Sequence, residues 1–152
     1  MNDFEALKAA WSASTIAVLI EGIQGEGGIH PAQAVYLKQV REWTQEQNAL
    51  LLMDSVQCGF YRTGRFQSYQ RLMEGVAGGE DFLPDAIGMA KSLGAGFPMG
   101  AVWIRDQYAN VLGAGSHGTT FGGTPLACAV ALKTMEIVKR DHLDDNARNL
   151  GE

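Results

Sequence analysis

Ala49-Leu50-Leu51-Leu52-Met53-Asp54 is an unbroken apolar run that ends in a carboxylate, and Asp85-Ala86-Ile87-Gly88-Met89-Ala90-Lys91 is a second that ends in an amine. Short apolar runs without alternation suit strands buried on both faces, as in a parallel sheet. In an open parallel sheet, ligands sit beyond the carboxyl ends of the strands. Strands at 49–54 and 86–89 therefore predict that Asp54 and Lys91 face one crevice. From residue types alone, a salt bridge or two solvated loop charges is the better reading of such a pair.

Working outward, Ile16-Ala17-Val18-Leu19-Ile20 is a further apolar, β-branched run and predicts a strand. Between it and 49–54, a helix is expected from Pro31 to about Gln47, with Val35, Leu37, Val40 and Trp43 on its apolar face. Strand, helix and strand in this spacing predict a right-handed βαβ unit. Residues 4–12 predict a short helix capped by Asn2 or Asp3, and 66–74 another. Met99–Ile104 predicts a fourth strand, antiparallel to its neighbour. Thr124-Pro125 opens a long helix to about Arg140, with proline in its first turn. A last helix is expected from Asp141 and His142, still running where the sequence stops at Glu152.

The bulk properties narrow the function classes. The chain has 152 residues, 46% of them hydrophobic, enough for one domain with a core. Twelve basic against seventeen acidic residues give a net charge of -5, opposite to what a nucleic-acid or membrane surface attracts. No apolar run approaches transmembrane length and the N-terminus lacks a signal-peptide pattern, so a soluble cytoplasmic protein is expected. Cys58 and Cys128 have no ligand pattern near them, and both are expected to be reduced and partly buried. Many of the nineteen glycines cluster at 25–28, 94–100, 113–118 and 122–123, where tight turns or close approach to a ligand are expected.

Four ordered motifs go further: Glu21-Gly22-Ile23-Gln24-Gly25-Glu26-Gly27-Gly28, Asp54-Ser55-Val56-Gln57, Ala90-Lys91-Ser92-Leu93-Gly94 and Gly118-Thr119-Thr120-Phe121-Gly122-Gly123. Together they resemble the class III aminotransferases, pyridoxal 5'-phosphate (PLP) enzymes of fold type I. The likeness covers nearly the whole chain. It implies an α/β fold, part of the PLP-dependent transferase large domain, with a mostly parallel sheet flanked by helices in three layers, α/β/α. Residues 1–140 would be the C-terminal part of that PLP-binding domain, and 141–152 the start of the connection to a small C-terminal domain. The resemblance also implies a fragment, with about half of a subunit expected before Met1 and most of the small domain after Glu152.

The resemblance assigns roles residue by residue. Lys91 would be the Schiff-base lysine and proton shuttle, and Asp54 the carboxylate that keeps the PLP ring nitrogen protonated. Gln57 would donate to the cofactor's phenolic oxygen. Thr120, and with less weight Thr119, would bind the PLP phosphate of a neighbouring subunit, which implies a homodimer with shared active sites. Glu26 would face the substrate pocket, or stand as a solvated loop acid. Arg62 and Arg65 read as solvated loop residues, with contact to substrate or partner as the alternative. Ser55 departs from the family's usual Glu, and Thr124 from its usual Asn before Pro125.

The implied reaction moves the ω-amino group of N-acetylornithine, or a related ω-amine, to 2-oxoglutarate, giving glutamate and a semialdehyde in arginine biosynthesis. Ornithine and 4-aminobutyrate stay open as donors. The competing expectation is a catalytically inactive fragment or interaction module. Two motif matches are rejected. Gly113-Ala114-Gly115-Ser116-His117-Gly118 fits G-x-G-x-x-G but opens no helix. Ala90-Lys91-Ser92 lacks the glycines of a phosphate-binding loop. His30, His117 and His142 have no metal-ligand spacing.

Overall fold

The structure, a computed structural model, describes residues 1–151. Asp3 caps α1 (Phe4–Ala9) by accepting from the Ala6 N–H at 2.9 Å. The helix stops short of Trp11, whose ring still packs edge-on against Trp43, as does Phe4. β1 (Ala17–Glu21) follows, then a two-residue hairpin of β2 (Ile23–Gln24) and β3 (His30–Pro31). α2 (Ala34–Glu46) leads to β4 (Leu50–Asp54), α3 (Ser68–Leu72) and β5 (Ala86–Met89). A single 3-10 turn over Lys91–Gly94 precedes β6 (Ala101–Ile104). α4 (Pro125–Arg140) and α5 (Leu143–Leu150) complete the chain.

The main sheet has the order β1-β4-β5-β6, parallel across its first three strands and antiparallel at β6. All four expected strands are present, including the antiparallel last one. α2 is the crossover between β1 and β4, but it starts three residues later than Pro31 suggested. The reason is hydrogen bonding: Pro31 pairs with Ile23 in the hairpin, and the Ala32 N–H is taken by the Gly22 carbonyl at 2.9 Å. Helix cannot begin until those groups are spent. Its apolar face also differs from expectation. Tyr36, Leu37, Val40 and Thr44 are buried while Val35 is 59% exposed. At 3.6 residues per turn, Val35 points roughly opposite the others.

The core joins Leu37 and Val40 of α2 to Leu51 and Met53 of β4 and Ile87 of β5, closed by Tyr69, Met73 and Phe82. A smaller cluster of Phe60, Leu93 and Ala131 fastens α4 to the turn after β5. Asp85, 2% exposed, locks the amino end of β5. It accepts from Arg41 of α2 at 2.6 Å, from the Leu51 N–H at 2.8 Å and from Arg105 at 3.5 Å. A buried carboxylate is tolerated only when so fully paired.

Two further expectations need correction. The last helix does not run on to the end of the sequence. His142, at φ 52°, breaks the path between α4 and α5, and α5 closes at Leu150 with Gly151 as its C-cap; Glu152 lies outside the described residues. Cys58 is buried, but Cys128 is exposed rather than partly buried, because its position on α4 faces away from the Ala127–Ala131 contact. Both are free thiols. Among the described residues, no helix is long and apolar enough to cross a membrane.

Candidate active site

β1, β4 and β5 run parallel, so their carboxyl ends open on the same side of the sheet. Three polar side chains arise there. Glu21 and Asp54 end β1 and β4 and stand in register, with Gly88 of β5 next in the row. Lys91 follows two residues after β5. It adopts φ 47°, a left-handed conformation that costs a residue with a Cβ on the order of 1–2 kcal/mol. Strain of this kind concentrates at functional sites. Here the turn carries the Lys91 ammonium to Gln57, whose Oε1 accepts its hydrogen bond.

Asp54 and Lys91 stand at the carboxyl ends of neighbouring strands, each lining a hollow there. Asp54 lines a cavity of about 420 Å³ with Glu21, Gln24, Leu19, Ile20 and Tyr36. Lys91 lines another, of about 450 Å³, with Gln57, Ile23 and Ile29. No ion pair joins Asp54 to Lys91 among the described residues. Asp54 Oδ1 accepts from the Val56 N–H at 3.0 Å, which leaves Oδ2 open to another donor. Burial first, and the Asp3 charge second, raise the Tyr36 phenol above its ordinary value of 10, so it stays protonated beside Asp54.

The first glycine cluster has a specific job. The Glu21 carboxylate accepts from the Gly25 N–H at 3.0 Å. That bond holds the Gly25 backbone against Gln57, so closely that a Cβ at position 25 would collide with Gln57 Nε2. With its nitrogen against Gly25, the Gln57 carboxamide turns its oxygen to Lys91, the only polarity an ammonium can use. Glu21 was not singled out from sequence, although the strand-end reasoning that found Asp54 applies to it equally.

The remaining candidates lie apart from this group. Glu26 is exposed in the loop between β2 and β3. Thr119 and Thr120 are exposed before α4; the Thr119 hydroxyl accepts from the Gly122 N–H at 3.1 Å. Thr124 caps α4, accepting from the Ala127 N–H at 3.5 Å, so its departure from Asn preserves the cap. Ser55 is 2% exposed and its hydroxyl has no partner among the described residues. Its backbone is what the fold uses, bonding Gly88 and Gly59 at 2.9 and 3.1 Å.

The residues present fit PLP. Lys91 offers an amine facing a cavity, and Asp54 a carboxylate oxygen without a partner among the described residues at the neighbouring strand end. Gly88 lies between them in the sheet, and a Cβ there would meet nothing within 4 Å, which leaves room above the strand for a flat ring.

A mainly parallel sheet flanked by helices, with a lysine in the turn after a strand, places the chain in the α/β fold of the PLP-dependent transferases. The family model for class-III aminotransferases matches residues 1–152. The chain belongs to the class-III aminotransferase family. It is 45% identical over 151 residues to the acetylornithine aminotransferase of Methanocaldococcus jannaschii, covering 99% of this chain and 36% of that one. With the Pseudomonas putida acetylornithine aminotransferase it shares 49% identity over 137 residues, 90% of this chain and 32% of that one. Among solved structures, the ornithine aminotransferase of Toxoplasma gondii, described with partial occupancy of PLP at its active site, superimposes with a TM-score of 0.85. Identity there is 38%, over 99% of this chain and 34% of that one. The acetylornithine aminotransferase of Elizabethkingia anophelis gives 0.84 at 35% identity, over 99% and 36%. The chain thus spans about a third of the length of the relatives it matches.

Proposed function

We propose that the chain carries the lysine-bearing part of a PLP-dependent aminotransferase site that moves the ω-amino group of N-acetylornithine, or a related ω-amine, to 2-oxoglutarate. The relatives named as acetylornithine aminotransferases support the donor. The observation that carries the reading is the group at the strand ends: Lys91 held by Gln57 in one cavity, Asp54 with a spare oxygen in the next. Residues 1–140 are read as the C-terminal part of the cofactor domain, 141–152 as the start of the connection to a smaller domain, and the working unit as a homodimer.

PLP, when bound, supplies an aldehyde that condenses with amines and a ring that accepts electron density. Each residue then has a task its chemistry fits. Lys91 holds the cofactor and moves the proton at the substrate's reacting carbon. Asp54 keeps a proton on the ring nitrogen through its free oxygen. Gln57 orients Lys91 and bonds the ring's phenolic oxygen. Thr120 and Thr119, exposed beside three glycines, are free to meet the phosphate of a partner subunit, and Glu26 to meet substrate. Tyr36, protonated in the Asp54 cavity, adds a hydrogen-bond donor there.

The test is borohydride reduction of the chain after incubation with PLP, followed by peptide mass mapping. A single pyridoxyl adduct on Lys91 is expected; adducts spread over the other lysines would overturn the assignment. In a full-length enzyme, Lys91→Ala should lower the transamination rate by at least about a hundredfold.

A further inference from the structure

Glu21 ends β1, two strands away from the strand that leads to Lys91. It reaches the lysine through a series of contacts. Its Oε2 accepts from the Gly25 N–H at 3.0 Å. The Gly25 backbone lies against the Gln57 carboxamide, where an added Cβ would come within 2.2 Å of Nε2. Gln57 Oε1 in turn accepts from Lys91. The series crosses from one hollow to the other, since Glu21 lines that of Asp54 while Gly25 and Gln57 line that of Lys91.

The first contact sets where the tip of the hairpin lies. β2 and β3 pair through two residues each, and a hairpin of that size is marginal by itself. Its base is held from outside. The Gly22 carbonyl accepts from the Ala32 N–H at 2.9 Å, and the Asn2 side chain bonds the Pro31 carbonyl at 3.0 Å and the Gln33 N–H at 2.8 Å. At the tip, the Gly25 carbonyl accepts from the Gly28 and Ile29 N–H groups at 3.1 and 3.4 Å, so the turn closes on the Gly25 backbone. Glu21 ties that backbone to the main sheet. A carboxylate accepting from a backbone N–H makes one of the stronger hydrogen bonds available.

We infer that Glu21 is a positioning residue for Lys91. It fixes the Gly25 backbone, the backbone fixes which way the Gln57 carboxamide faces, and the carboxamide oxygen holds the amine. This rests on the role proposed above for Lys91, and it adds a residue that acts on the lysine through two others.

The variants Glu21→Ala, Glu21→Gln, Glu21→Asp, Gln57→Ala and the double variant Glu21→Ala/Gln57→Ala test it. After incubation with PLP and borohydride reduction, peptide mapping gives the pyridoxyl adduct on Lys91 relative to that on Lys8, Lys38, Lys133 and Lys139. Glu21→Ala should lower this ratio about fivefold, the weight of one hydrogen bond. Glu21→Gln, which keeps an acceptor oxygen at the same reach, should recover most of it. Glu21→Asp, which keeps the charge and loses the reach, should behave as Glu21→Ala does. The double variant should fall no further than Gln57→Ala alone, because both changes break one series. Amide exchange at Gly25, followed without PLP, should quicken in Glu21→Ala and stay slow in Glu21→Gln. An unchanged ratio or unchanged Gly25 exchange in Glu21→Ala overturns the role, as does a double variant in which the two losses multiply. The two readings fail differently. A wild type without preference for Lys91 removes the cofactor lysine and its positioning residue together. A preference that ignores Glu21 keeps the lysine and removes the positioning role alone.

Discussion

At Gly25 the backbone runs so close to Gln57 that a methyl group has no place, yet the obstructing atom is the far end of a flexible side chain. Gly25→Ala should therefore spare the fold and damage the site. The carboxamide swings aside, and the Lys91 ammonium loses its acceptor. We expect a thermal midpoint close to the wild type, with pyridoxylation no longer concentrated on Lys91. A large fall in the midpoint with selective labelling intact would contradict this. Gly59→Ala is the contrast, since its Cβ would meet the Ser55 carbonyl at 2.6 Å, backbone that cannot yield, so stability should fall first. Sequence alone showed the glycine cluster at 25–28 and the polar ends of two strands. It could not show that Gly25 sets the orientation of Gln57, because that contact joins residues thirty-two positions apart through a hairpin of two-residue strands. Nor could it show the left-handed turn at Lys91, which residue type argues against.

Among the elements, α5 packs against α4 and the Gly64 turn and is tied to α3 by the carboxylate of Glu74. Glu74 accepts from Arg65, from Arg148 of α5 at 2.8 Å and from Arg71 of α3 at 3.1 Å. The hydrogen bond from Arg65 first, and that from Arg148 next, hold its carboxyl at about 2, below an ordinary 4.5. A depressed carboxylate stabilises the fold fully above the unfolded value, and that stabilisation is lost as pH falls through the folded one. Exchange protection of residues 143–150 should thus be steady above pH 4.5 and decline toward pH 2, while α2 keeps its own. Glu74→Gln should lower it already at neutral pH; equal protection in both proteins would remove Glu74 from this role. Asp85 is the buried counterpart, bonded to α2, to β4 and to Arg105. Asp85→Ala strands two guanidinium groups and should cost about 3–5 kcal/mol in denaturant unfolding. The four strands of the main sheet were legible as short apolar runs, β5 at 86–89 to the residue, whereas the two-residue strands β2 and β3 were not foreseen. The start of α2 was not, because Pro31 is equally at home in a helix's first turn and on a strand edge. Only the Gly22–Ala32 hydrogen bond decides between them.

For the molecule as a whole, surface area is the telling quantity. A compact monomer of 16.4 kDa should expose roughly 7,500 Å² by the scaling of folded proteins, and this chain exposes 9297 Å². The excess, roughly 1,800 Å², is the size of a substantial protein interface. Its location fits that reading. Leu19, Leu52, Ala86 and Ile104 form one row across the sheet, yet Leu19 is 65% exposed. Val102, Phe121 and Leu132 are exposed by 66%, 78% and 67%. The outer edges of β1 and β6 are unpaired among the described residues, which invites another strand. Free chains at micromolar concentration should therefore associate, seen in sedimentation velocity as species heavier than 16.4 kDa. The salt dependence separates apolar from ionic association. With a net charge of -5, like charges oppose contact, so added salt should strengthen association if apolar surface drives it. Dissociation on adding salt would mean that ion pairs hold the copies together. A monomer that binds no hydrophobic dye would mean that these side chains are already covered within one chain.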